Sequence, residues 1–544
     1  MYCRSAPGTQ ISSLMAGLHT DGLTKAALLL LLMITKLEHV YGARILLASP
    51  QISSHVNMQT AIGEELVQRG HEVYIAIGSR YPEPESLEQL GLRSIKYHIP
   101  PDAPFGLSDT AQLVAEHIFN PDLDVLDLAK SISVVVSMDC ENMLSDSKFL
   151  EQVRALKFDI ALVEPFTVNP CIVLLPNIVD IRFVSLTNFY LPWSIRLPAL
   201  PSFFRMSSPV TRSTEPTLWN CVLDTIVCVG THWRIMSNRW NDTLLDRYSP
   251  RSITWNELIL KSELFFISND HHIGLPFPLF PNVIPVPGIT VRPTKSLPDT
   301  LEKLITQSRD GIILVTFGSV VLHFPEPIIV KFLDAFAQLQ QTVIAKLNVT
   351  DGVAVPANVH VFRWLPQNDI LSHRQTRLFI THCGSNGQHE ALYHGVPMLG
   401  FPLFAEQPAN CERACAKGFG LQMNIHNFTS AELFDNIQEM LNNRSYGDTI
   451  KRSSATLRDE PLIGPKKAAH WIEHVIRYGS AHLRNPAMNL PLYRFIMLDV
   501  LSILFVVTFV VIAIISVCAV AITRAVWRQL RYHPSQKQTQ KKLN

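Results

Sequence analysis

Within residues 364–407, WLPQNDILSHRQTRLFITHCGSNGQHEALYHGVPMLGFPLFAEQ, the side chains best suited to chemistry gather around a glycine turn. The apolar run 378–381 leads into His382-Cys383-Gly384-Ser385-Asn386-Gly387, and a helix-forming QHEALYH follows. Strand, glycine turn and helix N-terminus in that order bind phosphate. The first N–H groups of a helix have no intrahelical acceptor, the macrodipole adds partial positive charge there, and Gly384 and Gly387 admit a close backbone approach. His382 can add a donor, and Glu390, about one turn inside the helix, can accept from a ribose hydroxyl. The glycines by themselves also fit an ordinary strand–turn–helix corner; the residues around them favour the anion site. His55 and Glu164 lie far upstream, each just after an apolar run. Both fall at the carboxyl ends of expected strands, where open α/β sheets hold ligands.

The elements that must position these residues follow a βαβ rhythm. Residues 44–48 read as a buried strand, 54–68 as a loop and helix, and 73–77 as the next strand; further strands are expected at 160–163 and 183–186. Between them, 105–155 reads as amphipathic helices and 190–216 as an irregular, Pro-rich and aromatic region. Seven prolines within 275–298 mark a stiff connector. Alternation then resumes, with a strand at 311–317 running into Gly318-Ser319, a helix at 327–340 and a strand at 342–346. The fold class is therefore α/β, two doubly wound Rossmann-like domains facing a cleft, expected at 43–285 and 286–445, with a helical return and membrane approach at 446–498.

Two apolar runs frame this body. Residues 26–34 follow Lys25 and precede a small-residue exit at Gly42, so 1–42 reads as a secretory signal, with Met15 an alternative start. Residues 500–523 hold no charge and are long enough to cross a bilayer, so a transmembrane helix is expected at 499–523. Beyond it, 524–544 carries Arg524, Arg528, Arg531, Lys537, Lys541 and Lys542 and no acid, which places this tail in the cytosol. The chain reads as a single-pass type I membrane protein with a luminal body. Lys541-Lys542-Leu543-Asn544 has the dilysine pattern of an endoplasmic-reticulum address. Sequons at Asn241, Asn348, Asn427 and Asn443 are glycan acceptors if they face the lumen. Nine cysteines, one of them in the span, make no disulfide framework, and Cys411 and Cys415 are expected as packed helix faces. His271-His272 reads as a surface turn rather than a ligand pair. With 47 basic against 46 acidic residues, nothing suggests a nucleic-acid partner.

The segment 364–407 resembles, over its full length, the signature of the UDP-glycosyltransferases, the family of UDP-glucuronosyltransferases and their invertebrate and plant relatives. Ser54-His55 with the following helix ending EELVQRGHEV, KFDIALVE at 157–164, FGSV at 317–320, LPFPLFPNV at 275–283 and RNPAMNLPLYRFIMLDV before the anchor extend the likeness over nearly the whole mature chain. The resemblance implies a GT-B arrangement and a UDP-sugar co-substrate, with neither cofactor nor metal. It implies that Trp364 stacks on uracil, assisted by Gln367; that His382, Gly384, Asn386, Gly387 and Ser319 hold the diphosphate; that Glu390 holds the ribose; and that Glu406 and Gln407 hydrogen-bond sugar hydroxyls. His55 becomes the general base and Glu164 the acid that offsets its charge. The transfer then inverts the anomeric centre, and the acceptor is a small lipophilic molecule bound chiefly by 105–125 and 188–215. Two positions depart from the family pattern, Glu164 and Glu406, where Asp is usual. Phe277 stands where vertebrate glucuronosyl members often have Arg, which tilts the donor toward UDP-glucose or leaves it open, and Cys383 where animal members mostly have Gly, a change expected to be harmless.

Two other readings compete. Asp122 and Asp124 have the spacing of a metal-dependent sugar transferase, but they lie in a helix-like PDLDVLDLAK and read better as a solvated face. The alternative from another class is a non-catalytic or weakly active membrane protein that binds UDP-sugar or lipophile. Homo-oligomerisation is left open by the sequence.

Overall fold

The apolar runs pair as two wholly parallel sheets, seen in a computed structural model that describes residues 42–532 apart from 82–86, 102, 104–113, 121–124, 166–168, 188–191, most of 198–241, 250–252, 269–270, 275, 277, 322 and 351. The signal region, the end of the basic tail, Asp122, Asp124, Phe277 and most of the expected acceptor stretches lie outside the described residues. The first sheet contains β1 (Arg44–Ala48), β2 (Glu72–Gly78), β3 (Arg93–Tyr97), β4 (Ile160–Val163), β5 (Phe183–Thr187), β6 (Phe265–Ile267) and β7 (Val283–Pro285), in the order β3-β2-β1-β4-β5-β6-β7. The second contains β8 (Ile312–Thr316), β9 (Thr342–Lys346), β10 (Val359–Val361), β11 (Thr376–Thr381), β12 (Met398–Gly400) and β13 (Gly420–Gln422), in the order β10-β9-β8-β11-β12-β13. IALV, and RILLA after its exposed Arg44, are apolar because helices cover both faces of a parallel sheet.

In each sheet the strand order reverses beside the first strand, between β1 and β4 and between β8 and β11. Crevices open at such reversals, outside the carboxyl ends of the strands. Register makes those ends flush: Ala48 pairs with Val163, and Thr316 with Thr381. The segments leaving β1 and β4, and those leaving β8 and β11, therefore emerge side by side.

Helix α1 (Ser53–Gln68) follows β1, and α2 (Val125–Ser145) and α3 (Ser147–Leu156) precede β4. In the second sheet α4 (Glu326–Phe336) follows β8, shorter than the expected 327–340 because its C-cap falls at Ala337. Helices α5 (Gln367–Ser372) and α6 (Ser385–His394) flank β11, and α7 (Gln407–Ala416) lies between β12 and β13. Gly395 closes α6 in the left-handed conformation, with φ 70°, that a C-terminal cap requires.

The stretch expected as a helical return divides between the two bodies. Helix α8 (Ser430–Asn442) and helix α9 (Arg444–Arg458) stay with the second sheet; Ser454 Oγ and the Arg458 guanidinium donate to the Tyr393 carbonyl on α6. Helix α10 (Gly464–Tyr478) crosses back to the first sheet, burying Ala468, Ala469, Ile472 and Val475 in one core with Ile62 and Leu66 of α1. Burial of each larger aliphatic contributes about 1.5–3 kcal/mol. The outgoing and returning connections touch, since Gly464 N–H donates to the Pro287 carbonyl at 2.9 Å. A Cβ on Gly464 would stand 2.5 Å from the Gly288 carbonyl oxygen, so the crossing needs glycine there. Arg484 donates to the Ser262 and Leu260 carbonyls, and Met488 is buried beside Phe265, so the membrane approach also rests on the first domain.

Helix α11 (Leu498–Tyr532) is exposed along its described length and is the one helix among the described residues long and apolar enough to cross a membrane. The cysteine expectations need correction. Cys411 is bonded to Cys383 rather than serving as an unpaired packed face, and Cys140 is bonded to Cys171. Separations of 31 and 28 residues hide both pairs from a reading of spacing.

Candidate active site

His55 sits in the first turn of α1, just beyond β1, and Glu164 is the first residue after β4. Flush strand ends bring them together: His55 Nδ1 lies 2.6 Å from Glu164 Oε1 across 109 residues of sequence. A carboxylate accepting from Nδ1–H fixes the tautomer and makes Nε2 the basic nitrogen. The imidazole is 14% exposed and the carboxylate 2%. Burial by itself depresses the His55 pKa. The charge and hydrogen bond of Glu164, with a further contribution from Glu406, outweigh that, and the net pKa is raised above 6.5. Glu406, from the other domain, is thus near enough to act on the imidazole, and burial in turn raises its own pKa against the opposing pull of His55.

The opposite wall is the β11–α6 corner. Gly384 is the extended N-cap of α6 and no side chain caps the helix, so its first N–H groups face the cleft. The His382 ring lies against Gly318 and Gly384; a Cβ on Gly384 would come 2.4 Å from His382 Nε2, and one on Gly318 2.8 Å from the ring. Glycine at these positions makes room for the imidazole as well as for a ligand. Burial, with the Lys346 charge adding to it, lowers the His382 pKa to about 4, so the ring is neutral near pH 7. Its Nδ1 is buried with no hydrogen-bond partner among the described residues. Cys383, next in the chain, takes φ 64° and is tied to Cys411 on α7. The position expected to be harmless therefore joins the glycine corner covalently to the helix that Glu406 precedes and Gln407 begins.

Trp364 is 67% exposed, a surface ring rather than a core residue, with Lys346 Nζ 5.3 Å from its centroid. Ser319 is half-buried in the turn after β8. Gln367 spans two groups, accepting from Thr316 Oγ1 at 3.0 Å and donating to Glu390 Oε2 at 2.7 Å. Glu390 also accepts from Thr290 Oγ1 at 2.7 Å, so this carboxylate is held from both sides. Gln407 Oε1 accepts from Leu403 and Phe404 N–H, which shapes the loop. Asn386 Nδ2 donates to the Ser54 carbonyl at 3.5 Å, and Ser385 Oγ lies 3.4 Å from Ser268 Oγ. The phosphate corner therefore faces His55 across a narrow interdomain gap.

Lys346 and Thr290 are site residues that sequence reasoning missed. Lys346 ends the buried strand TVIAK, donates to the Gly318 carbonyl at 2.9 Å and has its pKa lowered by burial. A lysine closing an otherwise apolar parallel strand was the available signal. Thr290 had none, because its contact with Glu390 depends on how the connector packs.

Two facing doubly wound domains, a phosphate corner on one and a His–carboxylate pair on the other, define a GT-B glycosyltransferase. Solved structures support that fold. The chain is similar to a kitacinnamycin glycotransferase, at TM-score 0.53 and 19% identity over 80% of this chain and 99% of that one. It is also similar to a Polygonum tinctorium UDP-glucosyltransferase, at TM-score 0.55 and 16% identity over 80% and 98%. Residues 43–532 match the family described as UDP-glucoronosyl and UDP-glucosyl transferase, and the chain belongs to that family. Its relatives include UDP-glucuronosyltransferase 2B19 of Macaca fascicularis, 30% identical over 93% of this chain and 97% of the relative, and UDP-glucuronosyltransferase 2B7 of Homo sapiens, 29% identical over 87% and 92%. The protein is a UDP-glycosyltransferase.

Proposed function

We propose that this enzyme transfers a hexose or hexuronic acid, with inversion, from its UDP-sugar to a hydroxyl or similar nucleophile on a small lipophilic acceptor. The observation that carries this reading is the 2.6 Å His55–Glu164 pair facing the uncapped N-terminus of α6. His55 Nε2 removes the acceptor proton as the nucleophile attacks the anomeric carbon from the face opposite UDP. Glu164 holds the ring and offsets the imidazolium that forms. The departing diphosphate gathers negative charge where α6 N–H groups, Lys346, Ser319 and His382 converge. Those donors take the place that a divalent metal holds in other sugar transferases, so turnover is expected without one.

Trp364 carries uracil, Gln367 and Glu390 the ribose side, and Glu406 with Gln407 the sugar hydroxyls. The printed names of the relatives favour UDP-glucuronic acid, and the family description also admits UDP-glucose. The enzyme would work in the endoplasmic-reticulum membrane, with α11 as anchor and the two domains in the lumen. Incubating the full chain in membranes with UDP-glucuronic acid or UDP-glucose and a panel of phenols tests the assignment. UDP release that depends on the acceptor and disappears in His55→Ala is expected; equal release by His55→Ala, or none by wild type, would leave a binding protein instead.

A further inference from the structure

The turn after β6 carries His271 and His272, and the catalytic apparatus uses neither. The expectation of a simple surface turn holds for His271, which is exposed, but His272 is buried. The fold brings a third residue to them from far along the chain. Glu460 lies in the segment joining α9 to α10, where the chain passes from the second domain back to the first. Its Oε1 is 3.9 Å from His271 Nε2 and 3.7 Å from His272 Nε2. The three ligand atoms all lie within 4.8 Å of one another.

We propose that His271, His272 and Glu460 form a site for a divalent transition metal of the Zn2+ class, separate from the catalytic cleft. Two imidazole nitrogens and a carboxylate oxygen are a donor set suited to zinc, with a water molecule completing four-coordination. Bonds of about 2.0–2.2 Å in a tetrahedral site place donor atoms roughly 3.4 Å apart. The Nε2–Oε1 separations must therefore close by about 0.5 Å for His271 and about 0.3 Å for His272, within reach of small rotations of the exposed His271 ring and the half-buried Glu460. Buried His272 fixes one ligand, while His271 opens an entry route from solvent. Neighbouring cations orient the set. Lys467 Nζ is 3.4 Å from Glu460 Oε2, which turns Oε1 toward the histidines, and Lys417 Nζ donates to the His271 carbonyl. Their charge lowers the affinity, so the site is expected to be weaker than a closed structural zinc site.

The position gives binding a consequence. The histidines belong to the first domain and Glu460 to the returning connection, beside the contact of Gly464 with Pro287 and Gly288. One ion on all three ligands cross-links the domain crossing. A second imidazole pair, His474 on α10 and His482 in the short turn just beyond it, has its Nε2 atoms 3.0 Å apart and supplies a control.

Full-length protein in detergent micelles, stripped with chelator and desalted, is titrated with Zn2+ in competition with a chromophoric chelator, and thermal midpoints are recorded with and without Zn2+. The site predicts one equivalent of Zn2+ whose affinity falls at least tenfold in His271→Ala and in Glu460→Gln and is retained in His482→Ala. It also predicts a Zn2+-dependent rise in midpoint for wild type that both first variants lose. Exposed His271 lets that variant fold, which an unchanged midpoint in chelator verifies. The proposal is overturned if wild type binds no Zn2+, if His271→Ala and Glu460→Gln both bind as wild type does, or if the equivalent disappears in His482→Ala.

Discussion

At the β1–β4 reversal the cleft is lined by a charged side-chain pair, His55 and Glu164; at the β8–β11 reversal it is lined by helix N–H groups, two glycines and an imidazole held neutral. The same topological position thus does two jobs with different materials. On the first wall a counter-charge keeps an imidazole basic, with its pKa raised. On the second, burial and Lys346 depress the pKa of His382 to about 4, so that ring adds no charge of its own near pH 7. In the proposed transfer a proton moves at the first wall, which calls for a titratable group near the working pH. The same proposal has an anion held at the second, which calls for fixed dipoles.

That division predicts that damage to the first wall appears in kcat and damage to the second in UDP affinity. The largest effect is expected for His55→Ala, a loss of about 10²–10⁴-fold in kcat with UDP affinity changed little, measured by initial rates and by calorimetric titration with UDP. If UDP affinity fell as steeply, the two walls would not be separable. Glu164→Gln keeps a hydrogen-bonding group but removes the charge that raises the His55 pKa. The expected outcome is about a 100-fold loss in rate, with the acidic limb of kcat/KM moved to lower pH, because an imidazole of lower pKa stays deprotonated further into acid. A limb that stays in place would assign the limb to another group.

On the second wall, Gly384→Ala sets a Cβ against the His382 ring and should weaken UDP binding by about 10–100-fold, the range expected of roughly 1–3 kcal/mol of overpacking. Trp364→Ala should weaken it about tenfold, at the lower end of the roughly 1–3 kcal/mol that a stacked base contributes. Because the ring is 67% exposed, its loss should leave the thermal midpoint almost unchanged. A large fall in midpoint would show Trp364 to be structural.

The contrast also explains what could be read from the sequence. The second wall is nearly contiguous: glycines, His382 and Glu390 lie within one strand–turn–helix, and local spacing encodes their geometry. His55 and Glu164 could be placed at strand ends by periodicity, but their 2.6 Å contact depends on β1 pairing with β4. What escaped was the tertiary detail. Lys346 enters from a neighbouring strand and Thr290 from the connector. The Cys383–Cys411 bond joins a turn to a helix 28 residues on, and Glu460 reaches His272 only because the chain recrosses between domains. Gln367 shows a subtler limit: its type and position were legible, yet its amide is already spent on Thr316 and Glu390. The sequence also could not show that Gln407 would use its oxygen to brace its own loop.

Helix α10 and the segment after it leave the second domain and lie on the first, and α11 continues from there. A bilayer gripping α11 therefore grounds the His55 domain like the fixed jaw of a vice. The domain with the glycine corner would be the travelling jaw, joined to the first through the paired crossings at Gly288 and Gly464. Opening and closing would then swing the glycine corner toward and away from a stationary His55, while the first wall keeps a constant height above the lipid.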